Sequence, residues 1–338
     1  MTKAGEQRFK KVWTGVRRGL AGLALGAGLW SAAGAAEPEK VVFGTNWFAQ
    51  AEHGGFYQAK ATGIYEKYGL DVSIEMGGPQ VNNVQLLLAG KQNITMGYPI
   101  RNIKSLVQDL PVVTIAAPFQ SDPQALLAHP QVKSLEEIKG KPVYVFSGAK
   151  QTFWPWLEAN YGFTDDMIRP YTFSVQPFLA DKSVVQQGYV TSEPFAMEKG
   201  GVTPSIFLFA EYGYPPYAQT LETTRKWVKE KPEVLRKFVQ ASMEGWKSYF
   251  ENPAPGNALI KKDNPEMTDE QIAFGIEKMK EYGLVAGGDA KTKGLGVMTD
   301  ARWKATFDFM AQAGMVPKDL DYKKAYTLEF LPEEPVLP

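Results

Sequence analysis

The chain has no cysteine and only two histidines, His53 and His129, among its 338 residues. The first absence excludes disulfides, thiolate nucleophiles, thiolate-held metals and a lipid-anchored N-terminal cysteine. The second leaves any multi-histidine metal site, or any serine triad, dependent on one of two imidazoles. Neither charge sign is in excess: 37 Lys plus Arg stand against 37 Asp plus Glu. Nothing therefore answers the phosphates of a nucleic acid, and none is expected as a partner. HExxH, GxSxG and GxxxxGK[ST] do not occur, and no GxGxxG follows the first strand, so the common zinc-protease, hydrolase, P-loop and dinucleotide sites are not encoded. There is no internal repeat and no low-complexity linker. What remains is ordinary globular composition, 44% hydrophobic and 22% charged with 32 Gly and 23 Pro, in a length that suits two lobes.

The N-terminus reads as an address. Lys10, Lys11, Arg17 and Arg18 precede an apolar run from Leu20 to Trp30, and Gly34-Ala35-Ala36 supplies small residues for cleavage. This is the pattern of a secretory signal peptide over residues 1–36, cut after Ala36. The run falls short of the roughly 20 residues a bilayer demands, and no later stretch is apolar enough to cross one. Arg17-Arg18 also admits a twin-arginine route, though general secretion fits the flanks better. Removing the leader takes away six basic residues and one acid, which leaves a mildly acidic chain. Export without cysteine suits a periplasmic location.

Downstream, strand and helix alternate. Val41 to Gly44, Gly69 to Ile74, Ile94 to Met96 and Val112 to Ala116 read as strands. Helical spacing covers His53 to Tyr65 and Val81 to Ala89, the latter closed by Gly90. Near His129-Pro130 the rhythm restarts: a capping-box-like start at Ser134, a strand at Val143 to Phe146, a helix from about Gln151 to Tyr161 closed by Gly162. Further strands follow at Tyr171 to Phe173, Gln187 to Val190 and Ser205 to Phe209. The last third is helical, with starts at Pro232, Thr268 and Thr299. The pattern predicts an α/β protein with mostly parallel sheets, in two lobes with a cleft between them. One lobe is expected over 37–126 plus 213–338 and the other over 127–212.

Ligands of open α/β sheets sit at the carboxyl ends of strands, and that rule selects the candidates. Asn46 and Trp47 follow the first strand: the amide offers donor and acceptor together, and the indole a flat apolar face. His53 opens the next helix, either as a ligand contact or as a local packing group. Tyr98 and Arg101 follow the third strand. In the second lobe Ser147 and its neighbouring backbone N–H groups turn from strand to helix. Phe153-Trp154-Pro155-Trp156 is dense in rings, and Trp154 is the one assigned to the cleft. Tyr189 and Glu193 flank the end of the next strand; Glu193 could accept from an amine or ring N–H, or serve as a charge at a helix start. Tyr214 and Tyr217 lie on the return between lobes, with Tyr217 the stronger candidate. No catalytic constellation assembles from these. Aromatics with a few polar groups suit recognition of a flat polar ring.

The text Asn46-Trp47, His53-Gly54-Gly55-Phe56-Tyr57-Gln58-Ala59-Lys60, Gly63-Ile64-Tyr65 and Tyr68-Gly69-Leu70-Asp71-Val72 resembles a known family. Leu88-Ala89-Gly90-Lys91, Ile94-Thr95-Met96-Gly97, Leu135 to Lys141 with Gly148, and Lys231 to Phe238 extend the match over the mature chain. The family is that of exported solute-binding proteins of ABC importers for nitrate, sulfonate, taurine and thiamine-pyrimidine precursors. The resemblance implies a bilobal periplasmic-binding-protein fold (type II) that closes on its ligand by hinge motion. It also implies a small-molecule ligand, an inner-membrane permease with its ATPase as partners, a monomeric protein, and neither cofactor nor metal. The Asn-Trp and His-Gly block is closest to the thiamine-pyrimidine branch; a sulfonate-, taurine- or nitrate-type ligand is the alternative. A fungal-type pyrimidine synthase shares the superfamily and uses iron, pyridoxal phosphate on a Lys and a sacrificial His. Here the matching positions after Met96-Gly97 are Pro99 and Ile103, and the cysteine-rich iron motif is replaced by Gly213 to Tyr217. Binding without chemistry, rather than an enzyme, is the reading the residues imply. A ligand-sensing domain of a membrane receptor is a third possibility, for which no fused output segment is encoded.

Overall fold

The computed structural model describes residues 37–338; the leader read over residues 1–36 lies outside the described residues. Strands follow in the order β1 (Glu39–Gly44), β2 (Leu70–Glu75), β3 (Ile94–Gly97), β4 (Val112–Ala116), β5 (Gln124–Ala128), β6 (Val143–Val145), β7 (Ile168–Pro170), β8 (Val185–Tyr189), β9 (Ser205–Leu208) and β10 (Thr220–Thr224). They form two five-stranded sheets, ordered β2-β1-β3-β10-β4 and β7-β6-β8-β5-β9. Helices cover both, as an α/β chain requires.

The expectation of mostly parallel sheets needs correction. β1 runs parallel to β2 and β3, and β6 parallel to β7 and β8. β10, however, is antiparallel to β3 and β4, and β5 antiparallel to β8 and β9. The cause is the path of the chain. β5 is the first strand laid down after the chain leaves the first sheet, and β10 the first after it returns. Each enters its new sheet from the cleft side, against strands whose carboxyl ends point there. Both crossovers therefore end beside the cleft, and they pair with one another: Ala218 N–H donates to Phe119 O at 3.2 Å. β5 starts at Gln124 within the second sheet, so a lobe boundary at 126/127 would fall inside that strand.

Local chemistry explains most element ends. The span His53 to Tyr65 is two helices, Gly54–Ala61 and Ile64–Lys67, separated by Gly63 at φ 72°. Thr268 and Thr299 cap their helices through the N–H groups of Gln271 and Arg302, at 3.1 and 3.3 Å. Pro232 sits in the first turn of Pro232–Glu251, where its missing N–H costs nothing. Ser134 leads only to the short turn Glu136–Ile138. The strand expected at 171–173 is displaced to β7, because Phe173 has φ 60° and cannot continue an extended run.

Helix Gly54–Ala61 lies in intimate contact with Pro232–Glu251. A Cβ added at Gly245 would stand 2.3 Å from the Gly55 carbonyl, and one at Gly55 2.3 Å from the Trp246 ring. Only glycines allow this approach. Beneath it Phe43 packs on Phe56 and Phe238 with ring centroids 4.7 and 5.3 Å away, which anchors the start of the loop carrying Asn46 and Trp47. Among the described residues no helix is long and apolar enough to cross a membrane.

Candidate functional site

The carboxyl ends of β1, β3, β6 and β8 converge with the two crossovers on a cavity of about 780 Å³. That lies within the usual range for small-molecule pockets.

On the first-sheet side a hydrogen-bonded chain is set by His53. The Gln50 N–H donates to His53 Nδ1 at 3.3 Å, so Nδ1 carries the lone pair and Nε2 the proton. Nε2 then donates to Asn46 Oδ1 at 3.0 Å. Asn46 Nδ2 donates to the Tyr98 hydroxyl at 2.9 Å, and that hydroxyl meets the Tyr189 hydroxyl of the second sheet. Complete burial pushes the His53 imidazolium down to about 3. The ring is neutral at any ordinary pH, with both nitrogens engaged. It orients Asn46, and Asn46 retains one free N–H.

Next to it Glu52 is buried and accepts from the Thr191 hydroxyl of the other half. Burial, more than that hydrogen bond can offset, lifts its carboxyl to about 7. Sequence reasoning overlooked Glu52, whose position one residue before His53 carries no distinguishing pattern.

On the second-sheet side Glu193 begins the helix Glu193–Lys199. Its Oε2 accepts from Tyr189 N–H at 2.8 Å and its Oε1 from the Tyr171 hydroxyl at 3.0 Å. Burial raises its carboxyl above the ordinary value. Phe146 and Ser147 follow β6; Phe146 N–H donates to Gln187 Oε1 at 2.7 Å, while Ser147 is exposed at the rim. Trp47 meets Phe173 across the mouth, centroids 5.0 Å apart and tilted by 44°, with Tyr171 behind Phe173 at 5.1 Å.

Of the candidates named from sequence, Asn46, Trp47, His53, Tyr98, Ser147, Tyr189, Glu193 and Tyr217 all border the cavity. Tyr217 does so from a buried position: its hydroxyl accepts from Thr299 N–H at 3.1 Å, and the Arg302 guanidinium lies 4.7 Å from its ring centre. Trp154 is a correction. It is fully buried, with its ring edge-on to Phe163 at 5.6 Å, and does not border the cavity. The helix Trp154–Tyr161 turns it into the second sheet's core, as helical phase does for large rings. Arg101 borders the cavity and lies over the Tyr98 ring, 5.5 Å from its centre. His129 is elsewhere, stacked on Phe178 at 4.2 Å and donating from Nε2 to that residue's carbonyl. Phe146, Phe173, Asp122 and Gln219 line the cavity without having been singled out. Their common signal, adjacency to strand ends in crossovers and rim loops, needs the topology to be visible.

The arrangement offers flat apolar faces and fixed hydrogen-bonding groups. The neutral His53 has no free nitrogen with which to act as a base. Among the described residues no three His, Asp or Glu side chains gather as a metal site.

Comparison with known proteins fits this geometry. The family profile described as NMT1/THI5 like matches residues 50–255. The riboflavin-binding protein RibY of Chloroflexus aurantiacus is 24% identical over 306 residues, covering 87% of this chain and 86% of that protein. The formylaminopyrimidine-binding protein of Halalkalibacterium halodurans is 25% identical over 264 residues, 73% of this chain and 80% of that one. Among solved structures, the periplasmic aliphatic sulphonate binding protein SsuA of Escherichia coli has a TM-score of 0.65 at 13% identity, over 89% of this chain and 94% of its own. The desulfurization enzyme DszB shares the fold too, with a TM-score of 0.56 at 12% identity over 86% of this chain and 97% of its own. The fold is thus the bilobal one expected, and fold alone does not separate capture from catalysis.

Proposed function

The chain belongs to the NMT1/THI5-like family, and on that footing we propose that it is the substrate-binding component of an ABC importer. It captures a small, flat, polar heteroaromatic molecule between its halves and passes it unaltered to a membrane permease and its ATPase. The protein acts as an exported, periplasmic monomer whose two lobes are built on the two sheets, the chain changing lobe before β5 and again between β9 and β10.

The observation that carries this reading is the cavity itself. Rings from both halves meet at its mouth, its polar wall is a hydrogen-bonded chain, and its lone imidazole is locked neutral. Such a site can hold and orient a ring, and its imidazole, with both nitrogens engaged, takes no part in proton transfer. Both curated relatives are named for nitrogen heterocycles, riboflavin and formylaminopyrimidine, which supports a ligand of the thiamine-pyrimidine-precursor kind. Trp47 stacks on the ring. The free N–H of Asn46 and the remaining lone pairs of Glu193 read its edge, and Ser147 with the N–H groups after β6 holds the far side.

Calorimetric titration against aminopyrimidines, riboflavin, alkanesulfonates and nitrate tests the proposal. Saturable one-to-one binding of a ring compound, recovered unchanged, is expected. Binding of a sulfonate or nitrate alone would overturn the ligand class, and a chemically altered product would overturn the transport role.

A further inference from the structure

One buried carboxyl stands where the two halves meet, outside the cavity. Glu52, in the short turn Ala51–His53 of the first half, accepts from the hydroxyl of Thr191, which follows β8 in the second. Each residue is 2% exposed. Beside them the helix Glu193–Lys199 of the second half rests on Asp269–Glu281 of the first. Phe195 meets Phe274 with ring centroids 5.6 Å apart, and Lys199 Nζ lies 2.5 Å from Glu270 Oε2. A Cβ added at Gly275 would stand 2.9 Å from the Ala51 Cβ and 3.3 Å from the Thr191 carbonyl oxygen. Turn, helix and second half therefore touch at one point.

No cation compensates Glu52 there. The titratable groups facing it are Glu193 from the second half and the Tyr249 hydroxyl from Pro232–Glu251. His53, next in the chain, is neutral. The charged groups of Asp269–Glu281 are turned elsewhere: Asp269 to Lys261, Glu270 to Lys199, Lys278 to Glu281, Lys280 to the Phe250 carbonyl, and Glu277 to the exposed surface. Lys60 of Gly54–Ala61 donates to the Val72 carbonyl. An ionised carboxylate sealed in this way is costly. Burial, with a smaller part from the neighbouring Glu193, keeps the proton on Glu52 up to about 7. Once the halves part, Thr191 and Glu193 withdraw and water reaches the carboxyl, which returns toward its ordinary 4.5.

We propose that closing the cleft takes up one proton from solvent, onto the Glu52 carboxylate, and that the Glu52–Thr191 contact is a latch strengthened by acid. Below about 4.5 Glu52 is protonated whether the halves are joined or apart, and above about 7 it is ionised in both. Between those values only the joined arrangement holds the proton, so joining loses ground as pH rises and levels off above 7. A ligand that binds the joined halves inherits the same dependence, whatever its chemistry. The latch rests on the hinged capture proposed above and adds a regulation to it.

Calorimetry with riboflavin as the probe, run at pH 6 in buffers of different ionisation enthalpy, counts the protons taken up on binding. The wild type is expected to take up close to one, and to bind about tenfold or more tightly at pH 5 than at pH 8. Glu52→Gln should abolish both effects, which separates Glu52 from the other buried carboxyls of raised pKa, Asp122 and Glu222. Thr191→Val removes the hydrogen bond that favours the ionised form; its uptake should persist to higher pH, which gives a second reading should the glutamine variant misfold. Absence of uptake in the wild type, or equal uptake in Glu52→Gln, would overturn the latch and leave the binding role standing. A ligand-free measurement is also open, because the chain has no cysteine of its own. Spin labels on Gln85→Cys and Asp166→Cys, exposed positions of the two halves, should show longer separations gaining at pH 8 over pH 5.5, but not when Glu52→Gln is added. If no ring compound binds, the proposed function fails and these distances decide: identical distributions at both pH values overturn the latch.

Discussion

Trp47 and Glu52 sit five residues apart, one at the open mouth of the cavity and one sealed against the opposite half, and each makes a separate prediction. Stacking a heterocycle on an aromatic side chain contributes about 1–3 kcal/mol. Trp47→Ala should therefore weaken ligand binding about tenfold to a hundredfold, whereas Trp47→Phe should retain most of it; titration of both variants checks this. Glu52 holds its proton to about 7 when folded, against an ordinary 4.5. Between those values the unfolded chain ionises first and binds fewer protons, so stability falls as pH rises through that window and levels off above it. Glu52→Gln keeps an acceptor for the Thr191 hydroxyl and cannot ionise. Denaturant unfolding should show the variant gaining on the wild type from pH 5 to pH 8; parallel profiles would remove Glu52 as the source. At this scale the first-sheet half of the site was the most legible, because Asn46, Trp47, His53 and Tyr98 follow strands visible in the sequence. Glu193 was legible as a position, but not in its bonds: both its oxygens are met by Tyr189 and Tyr171, contacts that depend on where β7 ends. Trp154 was misassigned because a ring-rich segment does not state which ring the helix turns inward.

Helices announced themselves through their ends, since Thr268, Thr299 and Pro232 act within one turn and need nothing distant. β5 and β10 escaped for the opposite reason. Gln124–Ala128 and Thr220–Thr224 become strands by insertion between partners far away in the chain, and Glu222, buried in the middle of β10, hides any strand-like pattern there. The contact of Gly54–Ala61 with Pro232–Glu251 belongs to this scale as well. Gly245→Ala would drive a methyl to 2.3 Å from the Gly55 carbonyl. Overpacking of this order costs about 1–3 kcal/mol, and a lowered denaturation midpoint with an unchanged slope is the expected result.

For the whole molecule the contacts that matter are those spanning the cleft: Tyr98 to Tyr189, Trp47 to Phe173, and Glu52 to Thr191. They join the two halves directly, so part of what holds the halves together comes from the protein itself. A double variant, Tyr189→Phe with Phe173→Ala, removes two of the three. Its radius of gyration by small-angle scattering should exceed that of the wild type without ligand and converge with it once ligand is added. Equal radii in both conditions would show that closure depends on other groups.

The seat of β10 between β3 and β4 also governs how the chain can be assembled as it emerges. β3 and β4 are made early, yet the slot between them stays vacant until Thr220–Thr224 has been synthesised. The other sheet has all its members by Leu208. The half that starts first is thus the one finished last, and a nascent polypeptide halted anywhere before residue 224 carries an open seam at its centre. A ribosome-stalled series stopping at residues 215 and 230 should differ sharply in protease resistance of the N-terminal portion.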